Sequence, residues 1–256
     1  MNNEMKQHVV NALKKNVRID GRKLEDYRDI TVECDIASTA EGSARVKIGE
    51  TEILAGVKME IASPFPDRPE EGAIMLNAEF LPMASPEFES GPPGMPAIEL
   101  ARVVDRGIRE SGALDLKKLC IKKGEKCWMI VVDICIVNDA GNLLDAAALG
   151  AIAAIRDANF PTYENDELDY KKPTDKKIEL TKTPIAITVL KIGDCLLVDP
   201  MHDEEASIDS RLTVTTTEDG VICALQKGGL RPLLIEDVDK MLDLAMGKAK
   251  ILRKLL

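Results

Sequence analysis

Three arginines recur at a spacing that would place them on one face of a helix. Arg102, Arg106 and Arg109 are separated by four and then three positions, and residues at these intervals lie above one another on an α-helix. A guanidinium group binds two oxygens of a phosphate at once, so three of them on one face would form a cradle for a polyanion. A proline- and glycine-rich loop at 82–96 leads the chain into this helix.

The same helix carries acidic residues that could neutralise these arginines. The pairs available within the helix are Glu99 with Arg102, Asp105 with Arg109, and Arg106 with Glu110. Exposed pairs of this kind are common and contribute little to stability. The spacing alone favours such pairing over a phosphate cradle.

A second group of reactive side chains is the acidic cluster Asp203-Glu204-Glu205, which follows His202. These residues are possible metal ligands. Acidic residues also stabilise the N-terminus of a helix, and we favour the simpler interpretation, a solvated acidic turn that opens a short helix. We therefore predict no metal site and no cofactor.

The charge balance limits the kinds of partner. The formal net charge is −10 and aromatic residues make up 3% of the chain. Proteins that bind nucleic acid over their whole surface are usually basic, and base-stacking platforms need aromatic side chains. Any contact with RNA must come from a local basic patch or from a surface shared with another subunit.

The sequence gives no indication of a membrane or secreted location. No apolar run approaches the roughly 20 residues of a membrane span, and the polar N-terminus lacks the apolar core of a signal peptide. None of the six cysteines forms a C-x-x-C pair, so we predict reduced, structural thiols. We expect a cytoplasmic protein that does not bind membranes.

The hydrophobic pattern predicts an α+β arrangement. Helices are predicted at 4–16, 97–111, 143–158 and 235–255. Strands are predicted at 30–36, 43–48, 51–61, 73–81, 127–137, 185–191, 195–199, 211–217 and 221–226. The polar, proline-punctuated stretch 161–184 predicts a linker, so we expect an N-terminal segment at 1–29, a first domain at 30–160 and a second at 185–256.

Several segments together resemble the RNase PH family, and within it the non-catalytic ring subunit of the archaeal exosome. The similarity extends over about residues 16–250, and it rests on the order and spacing of the motifs rather than on any single one. The segments that carry it are Arg18-Ile19-Asp20-Gly21-Arg22, Glu99-Leu100-Ala101-Arg102-Val103-Val104-Asp105-Arg106, Asp139-Ala140-Gly141-Asn142-Leu143-Leu144-Asp145-Ala146, Asp199-Pro200 with Asp203-Glu204-Glu205, and 221–228.

This resemblance implies an RNase PH fold of two related sheet-plus-helix units. The first half would be like domain 2 of ribosomal protein S5 and the second like the RNase PH C-terminal domain. It also implies a hexameric ring of three heterodimers with a catalytic RNase PH-like subunit, capped by a trimer of RNA-binding subunits. Single-stranded RNA would be degraded from its 3′ end by phosphorolysis. The resemblance implies that Arg102, Arg106 and Arg109 contact RNA.

Two departures from active family members indicate that the chain itself is not an enzyme. Active members resemble one another in a Gly-Gly-Thr-Arg-like turn, whereas the corresponding turn here, Gly141-Asn142-Leu143-Leu144-Asp145, lacks the arginine and ends in an acid that would repel phosphate. They also carry two aspartates six residues apart, where an ungapped comparison puts Glu205 and Arg211. A slip of one or two residues would instead place Asp209 nearby. The alternative is a phosphorolytic 3′–5′ exoribonuclease active in its own right.

Overall fold

The structure, a computed structural model, describes the backbone of residues 3–256 and the side chains from residue 6 onward. The first two residues of the segment predicted at 1–29 lie outside the described residues. The described chain forms two main sheets with helices packed against them, which confirms the predicted α+β class.

The first sheet has the strand order β1-β2-β3-β6-β4, with β5 paired to the start of β6. Its neighbouring strands are antiparallel except for β4 and β6. That parallel pair needs a long crossover, which is provided by helix α2, Met95–Ser111. The strands are β1 (Ile30–Cys34), β2 (Gly42–Ile48), β3 (Thr51–Ala62), β4 (Ala73–Phe80), β5 (Cys120–Lys122) and β6 (Lys126–Asn138).

Helix α3, Leu143–Asp157, packs on the buried face of this sheet, against β2 and β3. Its six alanines are all buried, so its backbone can come close to the strands. Gly150 shows how close: a Cβ atom there would lie 2.4 Å from Cδ1 of Ile53. The small side chains of this helix are what make the close approach possible.

The second sheet is fully antiparallel with the order β10-β9-β11-β12. The central strand β9 is buried along nearly its whole length, because α3 packs on it from the first unit and the C-terminal helix α5 packs on it as well. The elements of this unit are β9 (Ile185–Ile192), β10 (Cys195–Val198), α4 (His202–Glu205), β11 (Ser210–Thr216), β12 (Ile222–Gly228) and α5 (Ile235–Leu252).

The N-terminal helix α1, Asn3–Leu13, packs against the second sheet rather than the first. Its buried residues Val9 and Leu13 contact a small apolar cluster formed by Leu190, Ile192 and Leu197. No helix among the described residues is long and apolar enough to cross a membrane.

The segment predicted as a linker folds largely into a hairpin of β7, Asn159–Glu164, and β8, Glu167–Lys177. Its anchor is aromatic: the ring centroids of Phe160 and Tyr163 lie 5.4 and 5.8 Å from that of Trp128. Pro161 and Pro173 face each other, in a ladder already broken by register shifts, where missing amide donors cost little. The domain boundaries derived from this segment stay a prediction.

Replacing Gly42 by alanine is expected to lower the free energy of unfolding by about 1–3 kcal/mol, the usual cost of overpacking a core. A Cβ atom at Gly42 would lie 2.4 Å from the carbonyl oxygen of Ala154 and 2.5 Å from the backbone of Ala158. Backbone atoms cannot rotate away as a side chain can, so β2 and α3 would have to separate.

The matched control for this prediction is Gly247→Ala in α5. A Cβ atom there meets nothing within 4 Å, and the better helix propensity of alanine should raise stability by up to about 1 kcal/mol. Urea denaturation of both variants measures the difference. Equal midpoints for the two variants would contradict the close approach of β2 to α3.

Candidate nucleic-acid interface and the turn before helix α3

Helix α2 holds its arginines on a rigid support. It begins after Gly94 with a proline in its first turn and ends at Gly112, which takes the left-handed conformation (φ 65°) that favours glycine. Leu100, Val104 and Ile108 on its inner face are buried in the core of the first unit. Its opposite face carries exposed side chains.

The helix also touches the second sheet. A Cβ atom at Gly107 would lie 3.0 Å from Oγ1 of Thr215 on β11, so the absence of a side chain at this position lets the helix and the strand come together. A groove of about 720 Å³ runs along α2 and is bordered on one side by Gln226 of β12. Arg102, Arg106 and Arg109 all line this groove, so the structure brings the three predicted residues together.

Only one of the three intrahelical pairs considered for this helix forms. Arg109 donates to both carboxylate oxygens of Asp105, at 2.7 and 3.2 Å, and also to the Ile74 carbonyl at 3.1 Å. Glu99 pairs with Arg211 instead, and the distance from Nη2 of Arg211 to the Glu99 carboxylate is 2.6 Å. Among the residues that the structure describes, Arg102 and Arg106 have no ion pair or side-chain hydrogen bond, so both are available to an anion.

The turn before α3 is already occupied by a carboxylate. The Asn142 backbone amide donates to Oε1 of Glu205 at 2.9 Å, at the helix end where unpaired amides and the helix dipole favour an anion. Burial raises the pKa of Glu205 to about 7, with Asp139 adding to the rise and the Asn142 amide and Arg211 opposing it. Glu205 therefore fills the position at which a phosphate could approach this turn.

Asp145 does not act as the sequence suggested. It is fully buried, and its carboxylate accepts hydrogen bonds from the Tyr27 hydroxyl and the Thr188 amide, both at 2.7 Å. Burial raises its pKa to about 7 in spite of these hydrogen bonds. The expectation that Asp145 repels phosphate at the turn was wrong, because its carboxylate is directed into the second unit and Glu205 holds the turn.

Asp199 is the centre of an arginine cluster beside the same turn. Arg28 approaches it at 2.7 Å, Arg22 at 2.6 Å and the Asn142 side-chain amide at 3.0 Å. Burial by itself would raise the pKa of Asp199, but the hydrogen bonds and charge of Arg28, together with Arg22, lower it. These guanidinium groups are committed to a protein carboxylate.

The acidic cluster 203–205 was predicted to be solvated, and for Glu204 this was wrong. Glu204 is 2% exposed and Arg18 only 1%, and Arg18 donates to both oxygens of Glu204 at 2.9 and 2.5 Å. The remaining donors of Arg18 reach the carbonyls of Asp26, Val198 and Asp199 at 3.3, 3.0 and 2.7 Å. Arg18, the buried residue of the motif 18–22, therefore fastens the turn between β10 and β11, while residues 19–21 are exposed.

The two possible alignments of the family's aspartate pair point to Arg211 and to Asp209, and these two residues have different surroundings. Arg211 lies in the second position of the ungapped comparison, paired to Glu99 as above. Asp209 accepts from the Gly193 amide at 2.8 Å and lies 3.2 Å from both Lys6 and Arg231. None of these three partners is among the groups that act on the Glu205 carboxylate.

Comparisons with known proteins show the family to which the chain is similar. Family models described as the 3′ exoribonuclease family, domain 1 and domain 2, match residues 26–161 and 182–248. The exosome complex component Rrp42 of Methanocella arvoryzae is 44% identical, over 97% of this chain and 94% of that protein. The Rrp42 of Thermococcus onnurineus is 46% identical, over 98% and 93%.

The fold of this chain is also similar to that of a solved structure. A chain of the Archaeoglobus fulgidus exosome with RNA bound to the active site superposes with a TM-score of 0.91 at 43% identity. The match covers 98% of this chain and 97% of that one.

Proposed function

This chain belongs to the RNase PH family of 3′ exoribonucleases, and from that premise we propose that it is a non-catalytic ring subunit of an archaeal exosome. Relatives about 45% identical over nearly the full length are named as the exosome component Rrp42, which supports membership of that complex. In the ring it would alternate with a catalytic RNase PH-like subunit as three heterodimers. A trimeric RNA-binding cap would cover one face, and the complex would work in the cytoplasm.

The observation that carries the non-catalytic role is the Glu205 carboxylate on the Asn142 amide. Phosphorolysis needs positive charge that receives inorganic phosphate, and active family members resemble one another in an arginine at this turn. Here the turn lacks the arginine and its amide already binds a carboxylate. Arg22 and Arg28, the nearby guanidinium groups, are held by Asp199. A phosphate would have to displace one acid and compete with another.

The proposed contribution to RNA degradation is a binding surface. Arg102 and Arg106 are exposed and unpaired within the described part of the chain, on a helix fixed against both sheets. A subunit boundary can collect guanidinium groups from both chains, so a chain with a net charge of −10 can still be locally cationic. Arg109 contributes less, because Asp105 neutralises part of its charge.

The isolated chain is expected to release no nucleoside diphosphates from single-stranded RNA in the presence of inorganic phosphate. The reason is the occupied turn and the single remaining acid of the family's pair. Chromatographic detection of the products, with the catalytic partner as positive control, measures this. Phosphate-dependent product release by the purified chain alone would support the alternative, an exoribonuclease active in its own right.

Co-expression with a catalytic RNase PH-like partner is expected to yield a complex with equal numbers of the two chains. Exposed strand edges such as β12 favour pairing with another chain, and head-to-tail contacts form a ring when the rotation between subunits closes. Native mass spectrometry gives the stoichiometry. A stable assembly of this chain alone, with no affinity for the partner, would contradict the proposed ring.

A further inference from the structure

Two cysteines of the first sheet face each other across neighbouring strands. In the antiparallel pairing of β5 with β6, Cys120 lies directly opposite Cys127. Residues opposite each other in such a pair have Cα atoms about 4.5–5.5 Å apart and side chains on the same face. Disulfides form at Cα separations of about 4.4–6.8 Å. From this register we propose that Cys120 and Cys127 are an oxidisable dithiol, a modification site that closes to a disulfide on exposure to a small-molecule disulfide.

The remaining cysteines lack such a partner. In the strand pairings of the described residues, Cys34 faces Ala44, Cys195 faces Ile192, and Cys135 faces Leu54 and Glu79. Cys223 has its sulfur 3.3 Å from the Thr215 carbonyl. Cys120 and Cys127 are thus the pair that the fold itself holds in register.

The two thiols differ in access, which sets the order of reaction. Cys127 is fully buried, whereas Cys120 is partly exposed. Burial, and then the neighbouring Cys120, raise the pKa of the Cys127 thiol. Because the thiolate is the nucleophile, Cys127 reacts slowly with reagents in solution and depends on proximity. Cys120 is therefore the first thiol to react with a disulfide reagent, and Cys127 then displaces the reagent from Cys120.

The backbone can accommodate the bond. β5 has only three residues, lies at the end of the sheet and carries a register irregularity between Cys120 and Lys122. The connection to β6 turns at Gly124, which has a φ of 72°. A bulged, short edge strand can shift by the few tenths of an ångström to about 1 Å that a disulfide needs to bring the Cβ atoms closer. The bond would fasten β5 to β6.

The reaction is a balanced thiol–disulfide exchange. The Cys120 thiolate attacks one sulfur of the small disulfide, which forms a mixed disulfide and releases one thiolate. The Cys127 thiolate then attacks the Cys120 sulfur and releases the second. Two protein thiols are oxidised to one disulfide, the reagent is reduced to two thiols, and the protons of the protein thiols pass to the released thiolates through solvent.

Peptide mapping of the full chain after incubation with oxidised glutathione tests the proposal. Trypsin cleaves after Lys118, Lys122, Lys126 and Arg156, so the two cysteines fall on peptides 119–122 and 127–156. The expected result is a reducible species that joins these peptides, about 2 Da lighter than their sum. The Cys135→Ser variant removes the other cysteine of peptide 127–156 and should still form it.

Three further variants make the test decisive. Cys127→Ala should lose the linked species and retain glutathione on Cys120, and Cys120→Ser should leave Cys127 unmodified. Cys34→Ser removes an exposed thiol and should leave the link intact. If the folded wild-type chain carries glutathione on Cys120 without the linked species, or links Cys120 to a different cysteine, the proposal is wrong.

Discussion

RNA binding by the assembled complex is expected to fall about a hundredfold or more when Arg102 and Arg106 are both replaced by glutamate. Hydrogen bonds to charged groups contribute about 1.5–3 kcal/mol each, and the two changes replace attraction by repulsion. Both side chains lack protein partners among the described residues, so the substitution breaks no internal ion pair. Folding and ring assembly should be unaffected.

The salt dependence separates a phosphate contact from a general effect of charge. Counterion release makes phosphate contacts weaker as salt rises, so the difference between variant and wild type should shrink at high salt. The matched control is Lys240→Glu with Lys250→Glu, which makes the same change of charge at two exposed positions of α5. Affinity is measured by titration of fluorescent RNA with the reconstituted ring.

Two outcomes of these measurements would contradict an RNA contact by the arginines. If a correctly assembled ring with both arginines reversed binds and degrades RNA like the wild type, the face of α2 does not contact RNA. If the α5 control loses as much affinity as the arginine variant, the effect is one of overall charge.

Replacing Arg18 by methionine is expected to lower the free energy of unfolding by about 3–5 kcal/mol, the cost of leaving a buried charge unpaired. Glu204 would remain buried with neither of its oxygens paired to a guanidinium group. The carbonyls of Val198 and Asp199 would also lose donors. Replacing Glu204 by methionine in the same chain should restore part of the loss, because the second change removes the stranded charge.

The control for this prediction is a solvent-exposed pair. Lys118 and Glu179 are 2.7 Å apart with side chains 61% and 72% exposed, and Lys118→Met should leave the urea midpoint nearly unchanged, because solvent screens an exposed pair. Urea denaturation followed by circular dichroism provides both values. An Arg18→Met variant no less stable than Lys118→Met would contradict the buried pair.

The local elements were predictable because their determinants are close together in the sequence. The turns at Gly49-Glu50, Gly193-Asp194 and Asp219-Gly220 each join strands that the alternation of side chains already indicates, and all three hairpins form. The alanines of α3 are likewise adjacent in the sequence, and they let the helix approach the sheet. The hairpin at β7 and β8 was missed because its sequence is mostly polar, and the contacts of Phe160 and Tyr163 with Trp128 that anchor it are not visible as a periodic apolar pattern.

The site was less predictable because its contacts join distant parts of the chain. Arg18 and Glu204 are 186 positions apart, and spacing along the chain carries no information about such a pair. The same applies to Glu99, which could pair within its own helix but binds Arg211 on β11 instead. The presence of acids near Gly141 was visible in the sequence, but only the fold decides that Glu205 reaches the turn and Asp145 does not.

The most direct test of the non-catalytic role is a ring reconstituted with a catalytic partner whose own active site has been inactivated by substitution. With this chain unchanged, we expect RNA to bind with wild-type affinity while no nucleoside diphosphates are released in the presence of phosphate. Phosphate-dependent release of nucleoside diphosphates by that ring would show that this chain performs phosphorolysis itself.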